Sequence, residues 1–485
     1  MFWREFNQKN WQLVRKVTNF SSKTLGLPFA VALRNPTVVN ADYTSSHSKP
    51  VNEWMKTSLE DKLAGHLFDY KKSRGNFVCD YEGNEILDLA MQGGNLAFGY
   101  NPNSFLHLRV RKLYNRLTSS IKIPTKMDSD DYMFYIKTNI LPYAPKGMGE
   151  VHFTKGKGKL AVESSIKAAI LSYRESRGGF EDIDWEKFAA SDFSDSVDLL
   201  QDRISVLSFE SARAPGSNSF AKHDWPVIQT PDLTYPYQKN KKDNIQEENR
   251  RLKEVRETIA ARESSSPVGA IIVEPITFLG NCMATPTFYR KLRDIAKEHN
   301  IPFIVDETRT GFGKTAKFWG LEHWHLDDMP EFVAFGGSSA ASGFFTTRDH
   351  IPYGPHKLPT IGDESLSNVI EFSETAEYIK KKSLVDKVED VSGFIKVELD
   401  RINKKKGIYT NLRGNGTFLG LDFEDYYRAR HFQKYLLRNG VLVSLVGQQT
   451  LGIRPSLLLR PDQASHLRDA FIDYYPRFHT DVWLD

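Results

Sequence analysis

Apolar and polar positions along this 485-residue chain change rhythm near residue 150. Before that point, Phe77-Val78-Cys79 and Ile86-Leu87-Asp88-Leu89 are two short apolar runs around Glu82-Gly83-Asn84, the pattern of a β-hairpin. After it, continuous apolar runs alternate with stretches of helical period. The runs 151–153, 204–209, 269–274, 302–306, 332–335 and 343–346 predict strands. Helices are predicted over 159–175 and 288–300, the second led in by Thr285-Pro286, a capping side chain with proline in the first turn. The alternation of strand and helix predicts an α/β fold, with a mostly parallel central sheet covered by helices on both faces. The charged stretch 238–264 predicts an exposed helix, and 372–402 one long helix leading into a smaller α+β domain. The expected divisions are a presequence-like segment 1–26, an arm 27–70, a large domain 71–370 and a small domain 371–485.

The first two dozen residues stand apart. Phe2, Trp3, Phe6, Leu13, Val14, Val17 and Phe20 share one arc at about 100° per residue, while Arg4, Lys9, Arg15, Lys16 and Lys23 face a single acid, Glu5. A basic, acid-poor amphipathic segment reads as mitochondrial targeting, at the matrix or the matrix face of the inner membrane; an ordinary surface helix is the plain alternative.

Elsewhere the charge is nearly balanced, with a net +4 that argues neither for nucleic acid nor for a membrane surface. No stretch reaches the roughly 18 consecutive apolar residues of a spanning helix. Two cysteines, Cys79 and Cys282, exclude a disulfide scaffold or a four-cysteine metal site within one chain. His323 and His325 beside Asp327 and Asp328 are too weak a constellation to predict a metal.

Several strings recur in one order: Ile271-Ile272-Val273-Glu274-Pro275, Phe288–Ala296, Ile304-Val305-Asp306-Glu307, Lys317-Phe318-Trp319-Gly320 and Arg454-Pro455-Ser456-Leu457. Over about residues 70–475 the chain resembles the class III pyridoxal-phosphate aminotransferases, nearest their mitochondrial 4-aminobutyrate branch. The resemblance implies the type I pyridoxal-phosphate transferase fold, usually a homodimer with sites at the subunit interface.

It also assigns positions. A lysine amine must capture the cofactor aldehyde and then move a proton. Counting back from Gly343-Phe344-Phe345 places Ser338 there, and no lysine lies between Lys317 and Lys357. Asp306 matches the carboxylate that pairs with the ring nitrogen, or else is a buried carboxylate capping a turn. Arg309 stands where the family carries an uncharged side chain against the ring. Gly158 and Lys159 take the phosphate-cradle positions, a basic solvated loop being the alternative. Thr360 matches the threonine that reaches the phosphate from a neighbouring subunit. Glu274 and Arg454 are kept, but the family's second glutamate is Leu279, which leaves Arg454 to find a new partner or become exposed. The ring-stacking aromatic is missing and Arg213 is out of register.

These losses predict an inactive, mitochondrial 4-aminobutyrate aminotransferase-like protein serving as a structural or accessory subunit of a larger, respiratory-chain or similar, complex. Protein partners, a homodimer, or both are expected. The expected cofactor state is none, with pyridoxal phosphate held at most without a covalent bond. Two alternatives remain: an anion- or cofactor-binding remnant, and an active aminotransferase of the 4-aminobutyrate class.

Overall fold

The computed structural model describes residues 36–38, 68–102, 130–154, 158–178, 204–209, 223–337, 339, 341–350 and 366–474. The chain divides after Pro36, and the elements below belong to the unit that begins at Thr37. The segment 1–26 and nearly all of the arm 27–70 lie outside the described residues.

The expected hairpin forms from β1 (Phe77–Cys79) and β2 (Glu85–Asp88), with Val78 opposite Ile86. Next come helix α1 (Asp130–Asn139), strand β3 (Glu150–Thr154) and helix α2 (Gly158–Glu175). Strands β4 (Ser205–Phe209), β5 (Val227–Ile228), β6 (Val268–Val273), β7 (Phe303–Asp306), β8 (Phe332–Phe335) and β9 (Ser342–Thr346) complete a seven-stranded sheet in the order β3-β9-β8-β7-β6-β4-β5. The pairs from β8 through β7, β6 and β4 to β5 are parallel, and β9 runs antiparallel to both neighbours. Every residue of β4, β6 and β8 is buried, which is why these strands read as unbroken apolar runs in the sequence. Helix α2 packs on β8 and β9 and buries almost its whole length from Ala161 to Arg174.

Helix α3 (Lys241–Arg262) is less exposed than its charge suggests, because Leu252, Val255 and Ile259 face the core and Arg251 is held by Glu247 and Glu254. Helix α4 (Pro286–Glu298) starts as its sequence predicts. Thr285 Oγ1 accepts from the Phe288 N–H at 3.3 Å, while the Thr285 N–H and hydroxyl donate to Glu248 at 2.6 and 2.9 Å. Thr285→Ala removes both the cap and one donor to a buried carboxylate, so unfolding in urea should show a loss of about 1–2 kcal/mol.

The long helix expected over 372–402 is in fact two helices, α5 (Leu366–Lys381) and α6 (Leu384–Lys406). The break falls at Ser383, which adopts φ 47°. Beyond it, β10 (Thr410–Asn415), β11 (Phe418–Asp422), β13 (Ser444–Leu445) and β14 (Thr450–Ile453) form an antiparallel sheet in the order β10-β11-β14-β13. Helices α7 (Tyr426–Arg438) and α8 (Pro461–Asp473) cover it through Phe432, Leu436, Leu467 and Phe471. Strand β12 (Val441–Leu442) leaves this sheet and pairs in parallel with β2, Val441 opposite Leu87.

Candidate functional site

Three connections meet at the carboxyl ends of the central strands, the usual place for a ligand in an open α/β sheet. They are the start of α2, the loop after β7 and the loop after β8. Their approach is close enough to exclude side chains. A Cβ at Gly336 would lie 2.8 Å from the Gly158 Cα, and one at Gly337, whose φ is +63°, would lie 2.2 Å from the Thr308 carbonyl oxygen. Glycine at 337 therefore meets both a backbone and a packing demand.

Asp306 ends β7. Its Oδ1 accepts from the Thr308 N–H at 2.9 Å and from the Thr308 hydroxyl at 2.6 Å. Burial pushes this carboxyl above its ordinary range, against the pull of the Thr308 hydrogen bonds and the nearby Arg309 charge. Oδ2 makes no hydrogen bond among the described residues. The turn-capping role thus occupies one oxygen of the side chain and leaves the other unused among the described residues. Gly158 opens α2, whereas Lys159 is exposed and its Nζ lies 3.7 Å from Glu163 Oε1 on the same helix. Ser338, Thr360 and Arg213 lie outside the described residues.

Arg309 does not stand free. Its guanidinium carbon sits 3.6 Å from the centre of the Phe278 ring, and its carbonyl accepts from Lys314 Nζ at 2.9 Å. Arg454 is wholly buried and stacks on the same ring at 4.3 Å, with Phe418 at 4.9 Å on another side. Its Nη2 donates to the Phe278 carbonyl and to Asn281 Oδ1, so its partners come from the loop after β6. Leu279 itself is exposed. Nε and Nη1 of Arg454 are buried with no acceptor among the described residues. Burial, and then the charge of Arg309, lower Arg454 to about 9, with Glu274 acting in the opposite direction. Lys314, also buried, is lowered to about 7 by burial and by both arginines.

The loop carrying Phe278 is tied at several points. The Thr277 N–H donates to the Cys282 carbonyl at 2.8 Å, Asn281 Nδ2 donates to the Leu419 carbonyl at 2.8 Å, and Gly280 O accepts from Arg413. Opposite it runs Met91-Gln92-Gly93-Gly94, with φ of 43°, 52°, 76° and 84°. Such a run of left-handed backbone marks a segment held by its surroundings, and a Cβ at Gly94 would already touch Arg454 at 3.6 Å. Sequence reasoning missed Phe278, Asn281 and Lys314. The adjacent Gly93-Gly94 was the one visible signal that a backbone approaches closely there. His323, set aside above as a metal ligand, has Nε2 2.8 Å from the Thr315 carbonyl.

Residues 60–474 match the family described as aminotransferase class-III. The chain belongs to the class III aminotransferase family. It is 30% identical over 483 residues to 4-aminobutyrate aminotransferase of Dictyostelium discoideum, covering 95% of this chain and 96% of that one. It is also 30% identical to the mitochondrial 4-aminobutyrate aminotransferase of Homo sapiens, covering 87% of each. Among solved structures it is similar to the lysine aminotransferase from M. tuberculosis in the internal aldimine form, with a TM-score of 0.69, 20% identity and coverage of 88% and 98%. The ornithine delta-aminotransferase of Plasmodium falciparum is another, at TM-score 0.65 and 15% identity, covering 88% of this chain and 98% of that one. The type I fold expected from sequence is the one observed, and no described helix is long and apolar enough to cross a membrane.

One expectation is corrected. The chain was expected to have no cofactor, or pyridoxal phosphate without a covalent bond. The family is pyridoxal-phosphate-dependent, which overturns that expectation. The physical reason is that cofactor binding draws on the ring and the phosphate as well as on an amine. The described residues fit both: the Oδ2 of Asp306, which no described residue engages, suits a protonated ring nitrogen, and the α2 N-terminus at Gly158 suits a phosphate. When bound, the cofactor supplies an electron sink for chemistry at an amine-bearing carbon. Asp306, oriented by Thr308, would hold the ring proton.

Proposed function

We propose that this member of the 4-aminobutyrate aminotransferase class does not transaminate and serves as a structural or accessory subunit in a mitochondrial assembly. The observation that carries the reading is Ser338 at the position where counting from Gly343-Phe344-Phe345 places the lysine. A hydroxyl supplies neither an imine nitrogen nor an amine to shuttle the proton. The leucine at 279 in place of the family's second glutamate and the arginine at 309, where the family holds an uncharged side chain against the cofactor ring, support it.

The mitochondrial assignment is supported by the basic amphipathic start of the chain and by relatives such as the Homo sapiens enzyme, whose name carries that location. Assembly, as a homodimer or with other proteins, is supported by Met133 and Phe134, adjacent on α1 and 51% and 68% exposed. A second reading, an active aminotransferase, is favoured by the retained Asp306, Glu274 and Arg454.

Assaying the purified full chain with pyridoxal phosphate, 4-aminobutyrate and an oxo-acid acceptor separates the two. We expect turnover at least about a thousandfold below that of an active relative. Ser338→Lys alone should not restore it. Ready turnover, with a lysyl adduct trapped by borohydride, would establish the second reading instead.

A further inference from the structure

Helix α7 buries one side in the small domain, through Ala429, Phe432 and Leu436. The other side carries Tyr427, Arg430, His431, Lys434 and Arg438, all exposed. Their spacing of three and four residues lays them in one stripe, about 16 Å long from Tyr427 to Arg438. Tyr426 and Tyr427 stand at its start, 48% and 63% exposed, with their ring centres 5.7 Å apart. The helix contains no acid. Arg430 donates to Gln433 at 2.6 Å, and Arg430, Lys434 and Arg438 form no ion pair among the described residues. Glu424 and Asp425, just before the helix, are engaged by Arg428, while Asp473 acts on Tyr435 at the half-buried flank. The basic surface continues onto α6. The Tyr474 hydroxyl lies 3.4 Å from His431 Nδ1, and its carbonyl accepts from Lys406 at 2.8 Å, next to the exposed Lys405. Helix α3 is equally charged but mixes signs, with Glu247 meeting Arg250 and Arg251 and Glu257 meeting Lys253. Mixed signs suit a solvated helix, whereas a stripe of one sign repels itself until an anion covers it.

We propose that this face of α7 docks on an anionic lipid surface. Charge complementarity calls for a polyanion, and three features select a membrane. The stripe is the outer side of a surface helix, a convex ridge that a broad charged plane can meet along its whole length. The two tyrosines join an apolar ring to a polar hydroxyl, the combination that settles between headgroups and acyl chains. The lysine and arginines carry long apolar stems, so their charges can reach headgroups while the stems lie against the boundary. Nucleic acid is the poorer match, because the chain's net charge is only +4. That modest total does not weaken the case for lipid. Successive charges along the stripe are about 6 Å apart, inside the screening length of about 8 Å at physiological salt, so a surface meets them as a group. Each lysine or arginine near an anionic leaflet is worth about fivefold in affinity. The docking is independent of whether the chain transaminates and of what else it assembles with.

The test is co-sedimentation of the full chain with phosphatidylcholine vesicles made with and without phosphatidylglycerol. Binding to the anionic vesicles should be at least about tenfold tighter than to the neutral ones and should weaken as salt is raised. The combined variant Arg430→Gln, Lys434→Gln, Arg438→Gln should lose at least about tenfold of that affinity while its melting temperature stays close to that of the parent, since all three side chains lie outside the core. Tyr426→Ser with Tyr427→Ser should weaken binding without removing its salt dependence. Lys239→Gln, Lys241→Gln, Lys242→Gln takes the same charge from exposed positions at the start of α3 and should leave binding nearly unchanged. Equal binding to both kinds of vesicle, no binding, or an equal loss in the two triple variants overturns the proposal. A free protein that sediments as a dimer and becomes a monomer in the α7 triple variant would assign this face to a second copy of the chain and overturn it as well. The measurement reads binding and mass alone, so none of these outcomes bears on transamination.

Discussion

Arg413→Met should lower the unfolding free energy by about 3–5 kcal/mol, the usual consequence of leaving one charge of a buried pair without its partner. Both residues are largely enclosed, Arg413 at 7% and Asp422 at 8% exposure. The guanidinium meets the carboxylate through two parallel bonds, Nη1 to Oδ2 at 2.7 Å and Nη2 to Oδ1 at 2.9 Å. It also donates from Nε to the Gly280 carbonyl at 3.1 Å and from Nη1 to the Asn411 carbonyl at 2.9 Å. Methionine fills much of the space but leaves Asp422 with the Thr450 hydroxyl, at 2.6 Å, as its main remaining donor, and leaves Gly280 without its side-chain ties. Urea unfolding measures the loss. The pair Arg413→Met with Asp422→Leu should be less damaged than Arg413→Met alone, since no buried charge is then stranded. A loss below about 1 kcal/mol would mean that water reaches this pair freely. The substitution should also loosen the loop from Thr277 to Cys282. That loop positions Phe278 and Asn281 against Arg454, so the loss of order reaches the buried guanidinium as well.

The second large effect is a trough in stability near neutral pH. Glu307 is fully enclosed, with Oε1 accepting from the Leu321 N–H at 2.7 Å and Oε2 from the Thr310 hydroxyl at 2.5 Å. Burial, only partly countered by these bonds, raises its carboxyl from 4.5 to about 7. Between those values the folded chain binds a proton that the unfolded chain has lost, so stability falls as pH rises from about 4.5 to 7. Lys314 is the mirror case, lowered from 10.5 to about 7, so the unfolded chain binds the extra proton and stability rises again as pH climbs from about 7 to 10.5. Asp306, Glu248 and Glu322, each raised by burial, act in the same sense as Glu307. The Glu307 contribution is on the order of 3 kcal/mol. Unfolding measured across pH 4.5–8 should show the fall, and Glu307→Gln, which keeps an oxygen for Leu321 and a donor for Thr310, should flatten it. An unchanged slope in that variant would remove Glu307 from the account.

The central sheet was legible in the sequence because its strands are buried on both faces, and such strands are nearly uninterrupted apolar runs. Residues 204–209 and 332–335 are of this kind, and their observed limits differ from the expected ones by at most one residue. The turn between α5 and α6 was not legible. Lys380-Lys381-Lys382-Ser383 contains neither glycine nor proline, so helical spacing runs through it, and only tertiary packing selects φ 47° at Ser383. At the site, Asp306 and Gly158 could be placed by pattern because each sits at the end of a recognisable element. The stacking of Arg309 on Phe278 could not, because the two lie on different connections and meet only after β6 and β7 pair. The same holds for Arg454, whose partners come from the Phe278 loop.

Strand β12 has a consequence for how the polypeptide is made. The hairpin of β1 and β2 emerges early from the ribosome, yet the parallel neighbour that covers the open side of β2 is Val441–Leu442, close to the end of synthesis. Until then Leu87 and Leu89 present unfilled N–H groups, later taken by the carbonyls of Gly440 and Leu442. Nascent chains that stall or are cut before this point carry a sticky β edge, and their fate rests with chaperones and proteases.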